Sequence, residues 1–165
     1  MGVNLKLYVD GSYSVSSEVS GGWVLLSHDE SVLLAQRVIS KNPGLTSAHN
    51  VGGELLATVS GLAQAIRLLK VRKITNVPVT ITIYHDYIGI ERFIQGHPTW
   101  KAKQPASIFY VNCFNTLMCE CNNVKVVFKK VKAHTGVYWN EVADAIAGDH
   151  IPAEVSDHLL VERVV

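Results

Sequence analysis

Leu5-Lys6-Leu7-Tyr8-Val9-Asp10-Gly11 alternates apolar and polar side chains, then meets a turn dipeptide. This is the pattern of a half-buried strand that stops at Asp10-Gly11. Everything downstream can be placed around it. Ser12 to Gly22 is rich in Ser and Gly and reads as a turn region, while Trp23 to Ser27 and Ser31 to Ile39 read as two further strands. Short connections join these three as an antiparallel meander. Pro43-Gly44 then breaks the chain.

A strong helix is expected from Gly53 to Lys70, where Leu55, Val59, Leu62, Ile66 and Leu69 repeat at the 3,4 spacing of a buried stripe. The neighbouring row, Glu54, Thr58, Gly61 and Ala65, is small enough beyond Glu54 to let the helix approach a sheet. Val79 to Tyr84 is β-branched and aromatic, a fourth strand ending at His85-Asp86. A short helix from Ile88 to Gln95 follows, then a loop with Gly96, Pro98 and Pro105. Ile108 to Cys119 reads as a helix, Val124 to Val131 as a fifth strand, and Asn140 to Ala147 as a last helix stopped at Gly148. Residues 1–148 are thus expected to form one unit, with Asp149 to Val165 a tail or docked short helix.

The order βββαβααβα is that of an α/β protein. Helical crossovers make strands four and five parallel to strand one. If strand four lies beside strand one, the crossovers leave that junction in opposite directions. Ligands of such sheets sit at the carboxyl ends of the strands flanking the junction, and Asp10 and Asp86 occupy those ends.

The 165-residue chain suits one domain with a sizeable core. Its N-terminus has no signal-peptide pattern and no apolar run approaches a membrane span, so a cytoplasmic place and no membrane partner are expected. The three cysteines, Cys113, Cys119 and Cys121, are odd in number and crowded, against a disulfide framework, and no second pair completes a zinc spacing. A net charge of +1 gives no global nucleic-acid signal, so any basic footprint must be local.

Asp10, Glu54, Asp86 and Asp144 each have an ordinary explanation: a turn, a helix-dipole partner, an N-cap, a solvated helix residue. Taken jointly, carboxylates at two adjacent strand ends and at the start of the crossing helix would crowd negative charge into one cleft. Such a cluster calls for cations, and hard oxygen donors suit Mg²⁺ or Mn²⁺. Two such ions can clamp the attacking and leaving oxygens of a phosphodiester.

The segment His134-Thr135-Gly136-Val137-Tyr138-Trp139-Asn140-Glu141-Val142-Ala143-Asp144 resembles the signature near the end of type 1 ribonucleases H, with its His ten positions before its Asp. Other motifs of that family stand in order: Tyr8-Val9-Asp10-Gly11-Ser12, Gly21-Gly22, Glu54-Leu55-Leu56-Ala57, Asp86-Tyr87-Ile88-Gly89-Ile90-Glu91, and Gly96 through Lys103. The last two look like a bacterial branch, and the resemblance spans about residues 5–148. It implies the ribonuclease H-like fold, a five-stranded mixed sheet of order 3-2-1-4-5 flanked by helices. It also implies an endonuclease that hydrolyses the RNA strand of RNA–DNA hybrids with two Mg²⁺ ions (Mn²⁺ substituting), leaving 5′-phosphate and 3′-hydroxyl ends. Asp10 would bridge both metals, Asp144 would complete one site, and Glu54 with Asp86 the other. His134 would be the loop histidine that assists proton movement or product release.

The same resemblance matches Ser12 and Asn50 to positions that contact RNA near the cut, where the 2′-hydroxyl marks the strand. Trp100, Lys101 and Lys103 follow a basic-aromatic pattern suited to backbone contact, or else Trp100 is a loop side chain packed on the core. Asn140 reads either as support for the site or as the N-cap of the last helix. The enzyme is expected to act as a monomer. Departures from the family pattern are Ser14-Val15-Ser16-Ser17-Glu18-Val19-Ser20 in place of a Gly- and Pro-rich loop, Val51-Gly52-Gly53 before Glu54, and a shortened basic handle. No separate hybrid-binding module is expected before Leu5. Two rivals share the acidic set or the fold: a DNA nuclease or resolvase, and an inactive hybrid-binding domain.

Overall fold

The first strand is longer than its alternating stretch. In the computed structural model, which describes residues 2–14, 17–132 and 135–165, β1 runs Val3–Ser14 and pairs antiparallel with β2 (Glu18–Ser27) from Leu5↔Ser27 to Ser14↔Glu18. The Ser- and Gly-rich segment expected as a turn is therefore mostly ladder, and among its described residues Ser17 is in a turn, its N–H donating to Ser14 O at 3.2 Å. The reason is coverage. Ser20 is buried and its hydroxyl donates to Ala147 O at 2.7 Å, so polar residues here are satisfied inside a packed sheet.

β3 (Val32–Ser40) completes the meander, and β4 (Val79–His85) lies parallel to β1, with β5 (Val124–Lys130) parallel beyond it. The sheet order is β5-β4-β1-β2-β3-β6. The expected arrangement of five strands stands, with one addition. The tail turns through a 3₁₀ segment, Ala153–His158, and contributes a two-residue strand β6 (Arg163–Val164) parallel to β3. Leu160 and Val165 donate their N–H groups to Ala35 O and Ile39 O, and Gln36 Nε2 donates to Val161 O, so the tail satisfies the edge of β3.

Among the described residues five α-helices accompany the sheet: α1 (Pro43–Thr46), α2 (Asn50–Val71), α3 (Gly89–Gln95), α4 (Pro105–Cys119) and α5 (Tyr138–Ala147). Pro105, expected in a loop, instead starts α4, where its missing N–H and fixed φ suit the first helical position. The larger core lies between the sheet and α2 with α4, around Leu7, Trp23, Leu55, Leu62, Ile81, Ile83 and Tyr110. The smaller lies on the opposite face beneath α5, around Tyr8, Val24, Leu26 and Ile146. Among the described residues no helix is long and apolar enough to cross a membrane.

Glycines set how closely α2 and α5 approach. A Cβ on Gly53 would stand 2.2 Å from Ser20 O, and one on Gly22 would stand 2.3 Å from Ala143 O. The first turns of α2 therefore rest directly on β1 and β2, and α5 rests on the other face of the same strands. Helix α2 begins at Asn50, so Glu54 sits in its second turn rather than at its start.

Candidate active site

β1 and β4 stay paired only as far as Tyr8↔Tyr84. Beyond that, β1 continues with β2 while β4 ends beside β5, so the two parallel strands fork where their crossovers part. Asp10 and Asp86 each stand two residues past the last pair. Glu54 enters the fork from α2, because the glycine contacts above hold that helix against the sheet. Asp10, Glu54 and Asp86 place one carboxylate oxygen each within 4.8 Å of one another.

Two of these carboxyls are buried and that of Asp86 is half-buried. Asp10 is 8% exposed and Glu54 4%. Burial first, then the facing charge of Asp86, pushes the Asp10 carboxyl up to about 8, and Asp144 adds to the rise. The Gly11 N–H, 2.8 Å from Asp10 Oδ1, acts in the opposite sense. Burial, then Asp86, then Asp10 hold Glu54 well above the usual carboxylate range. Glu54 Oε1 accepts long hydrogen bonds from the N–H groups of Asp86 and Tyr87, at 3.2 and 3.4 Å, which fixes its direction. Asp144, half-buried on α5, reaches the same cluster through Asp10.

Of the other residues singled out from the sequence, Ser12 is a half-buried strand residue and Asn50 an exposed one at the first position of α2. Both border Gly11, whose Cβ would stand 2.4 Å from Asn50 O, so the two lie on one rim of the fork. Trp100 packs edge-on to Tyr87 and Phe93, at 6.0 and 5.4 Å between centroids, with the Arg92 guanidinium 5.9 Å from its ring centre. It is therefore a packed side chain tied to the residue after Asp86. Lys101 and Lys103 are exposed beside it. Asn140 is not an N-cap: it is the third residue of α5, 3% exposed, with its Oδ1 unpartnered among the described residues. His134 lies outside the described residues.

Sequence reasoning passed over His85. Its ring is fully buried behind Asp86, with Nδ1 3.0 Å from Tyr87 O and Nε2 3.3 Å from Glu91 Oε1. Burial lowers its pKa, and Glu91 and the Tyr87 carbonyl oppose that. The signal in the sequence was a histidine closing an otherwise β-branched and aromatic strand.

A helix-flanked mixed sheet with clustered carboxyls at the fork of its central parallel strands defines an α/β protein built around an acidic cleft. The ribonuclease H family model matches residues 3–151, and the chain belongs to that family of endoribonucleases. A ribonuclease H of Cereibacter sphaeroides is 27% identical over 152 residues, which cover 87% of this chain and 92% of the relative. Among solved structures, the ribonuclease H1 of the halophilic archaeon Halobacterium salinarum aligns with a TM-score of 0.66 at 20% identity, over 89% of this chain and 96% of that one. LC11 ribonuclease H1, solved in complex with an RNA/DNA hybrid, gives 0.64 at 16% identity, over 88% and 97%. The likeness of these structures supports the fold.

Proposed function

We propose that this chain hydrolyses the RNA strand of RNA–DNA hybrids at the fork between β1 and β4, leaving 5′-phosphate and 3′-hydroxyl ends. The observation that carries the reading is the approach of Asp10, Glu54 and Asp86 within 4.8 Å, in a chain of the ribonuclease H family. The hybrid in the LC11 complex supports the substrate class.

The donor set fits hard divalent cations. Burial first, and then mutual repulsion, favours the protonated form of Asp10 and Glu54, and Mg²⁺ or Mn²⁺ in place of the protons would relieve the repulsion. Bound cations supply charge neutralisation at the phosphate and at the oxygens that attack and leave. Asp10 interacts with both Asp86 and Asp144, and would be the ligand common to two ions. Glu54 and Asp86 would hold one ion with it, and Asp144 would complete the other.

The chain's own groups do the rest. The buried floor limits water at the fork, and the Asp86 and Tyr87 N–H groups hold Glu54 in place. His134, ten positions before Asp144 in the family motif, carries a proton or aids product release. Ser12 and Asn50, on the rim beside Gly11, sense the 2′-hydroxyls of the RNA strand. Trp100, positioned by Tyr87 and Phe93, and Lys101 with Lys103 hold the backbone without regard to sequence. Residues 1–148 form the catalytic unit, and the tail braces its β3 edge.

The test is cleavage of four matched substrates (hybrid, duplex DNA, duplex RNA, single-stranded RNA) at one salt concentration with Mg²⁺. Hybrid should be cut at many sequences and the other three spared. Equal rates on hybrid and duplex DNA would replace this reading with a DNA nuclease of the same fold.

A further inference from the structure

The two sheet faces are covered unequally. On the α2 side, Val124, Val126 and Phe128 of β5 pack against the larger core. On the opposite side α5 lies over β1 and β2. There the outward residues of β5, Lys125, Val127 and Lys129, are exposed, and their β4 partners Thr80, Thr82 and Tyr84 are half-exposed. The parallel registers align them in rows: Lys125–Thr80–Asn4, Val127–Thr82–Lys6 and Lys129–Tyr84–Tyr8.

The last row is built. Tyr8 and Tyr84 stack with centroids 4.3 Å apart and planes within 6°, and the Lys129 ammonium stands 5.9 Å from the centre of the Tyr84 ring. The ring thus gives Lys129 a preferred position without neutralising its charge. Lys125 sits on the same face four residues earlier, about 13 Å along the strand. Neither lysine has an ion-pair partner among the described residues; on this face only Lys6 is paired, with Glu30 at 3.7 Å. Between the lysines lie two threonine hydroxyls, one apolar residue and no acid.

Tyr8 and Tyr84 are also the last paired residues before the fork, two positions ahead of Asp10 and Asp86. The basic row therefore ends at the rim of the acidic cleft. A polyanion engaged at that cleft is the occupant that matches both the charge of this face and its continuity with the site.

We propose that the uncovered β4–β5 face is a second nucleic-acid contact, in which Lys125 and Lys129 grip phosphates of the substrate beyond the cleft. This rests on the reading of the cleft as a hybrid-cutting site. Contact through lysines and hydroxyls on an open sheet reads no sequence, so it adds affinity and salt dependence rather than specificity.

The test uses the full chain carrying Asp10→Asn, so that binding is read without cutting. A fluorescein-labelled 24-base-pair hybrid is titrated by anisotropy with Mg²⁺ present, between 50 and 200 mM salt. Lys125→Ala with Lys129→Ala should weaken binding about tenfold and lower the slope of log K against log salt by about 2, close to 0.9 per phosphate released. Lys70→Ala, which removes an exposed charge paired with Glu120 elsewhere, should match its parent. Lys125→Glu with Lys129→Glu should exceed the alanine effect, and all variants should keep the parental melting temperature within a degree or two.

An unchanged slope in both double variants overturns the proposal, as does an equal loss with Lys70→Ala. Cleavage by the unmutated chain separates the two readings. If hybrid is cut and the slope is unchanged, the face fails and the site stands. If hybrid is not cut yet the slope falls, the site reading fails and a nucleic-acid face remains.

Discussion

Asp10 joins the chemistry and the stability of the fold. Its carboxyl is raised to about 8, so the neutral form is favoured in the metal-free folded state relative to the unfolded chain. The sign follows by linkage: the favourable contribution is full below the ordinary value near 4 and is lost as pH rises toward about 8. Without divalent metal, the melting temperature should fall across that window. Asp10→Asn cannot ionise there, so it should stabilise the metal-free protein at pH 8 by ~2 kcal/mol and flatten the profile. The same change should reduce hybrid cleavage by ~10⁴-fold, about 5.4 kcal/mol of barrier. Melting curves from pH 5 to 8 with chelator, and initial rates with Mg²⁺, check the two halves. A variant that cut like its parent would remove Asp10 from the site. That Asp10, Glu54 and Asp86 belong together was legible because the sequence pattern puts each near a strand end or helix start at one junction, although β1 runs on to Ser14 and Glu54 lies in the second turn of α2. His85 was not legible, since burial of a histidine depends on neighbours such as Phe128 that are distant in sequence.

At the scale of elements, strands β4 and β5 and helix α2 follow from periodicity, because each has one more deeply buried face. The misread pieces were those whose packing depends on other elements. Ser12, Ser14, Ser20, Gly21 and Gly22 look like turn residues, yet they form ladder because α2 and α5 press on that stretch from both sides. Asn140 has the composition of a cap, but α5 starts two residues earlier and buries it. The tail was readable only as a docked appendage, since Val161 and Val164 are exposed and its order comes from backbone pairing with β3 and from Glu162 bridging Arg37 at 2.6 Å. The glycines carry a prediction of their own. Gly53→Ala would put a Cβ 2.2 Å from backbone Ser20 O, so the turn bearing Glu54 must lift. Gly61→Ala meets the Leu7 Cδ1 at 2.8 Å and the Trp23 side chain at 3.0 Å, on the same helix but two turns further along. Gly53→Ala should cost ~3 kcal/mol of stability and lower cleavage beyond what unfolding explains. Gly61→Ala should destabilise while leaving the activity of the folded fraction within about twofold. Denaturant melts paired with rates corrected for the folded fraction distinguish them, and equal corrected rates would mean that Gly53 does not position Glu54.

For the molecule as a whole, the acidic fork makes proton release, metal binding and folding one linked equilibrium. In the absence of cations, burial and then mutual repulsion push the Asp10 carboxyl up to about 8 and hold Glu54 well above the usual carboxylate range. A divalent ion that takes their oxygens must displace protons, so binding should strengthen as pH rises from 6 to 8. Because the unfolded chain does not bring positions 10, 54 and 86 together, the ion binds the folded state and stabilises it. At a hundredfold excess over its dissociation constant that gain is about 2.7 kcal/mol. Mg²⁺ should therefore raise the melting temperature more at pH 8 than at pH 6, and chelator should reverse the gain and stop cleavage. Calorimetric titration in two buffers of different ionisation enthalpy at pH 7 measures the proton count directly. A heat of binding that depends on the buffer, with protons released on Mg²⁺ addition, is the expected result, and Asp10→Asn should reduce the release. Binding heats independent of buffer, or full cleavage in excess chelator, would show that the buried carboxyls do not hold the working ion.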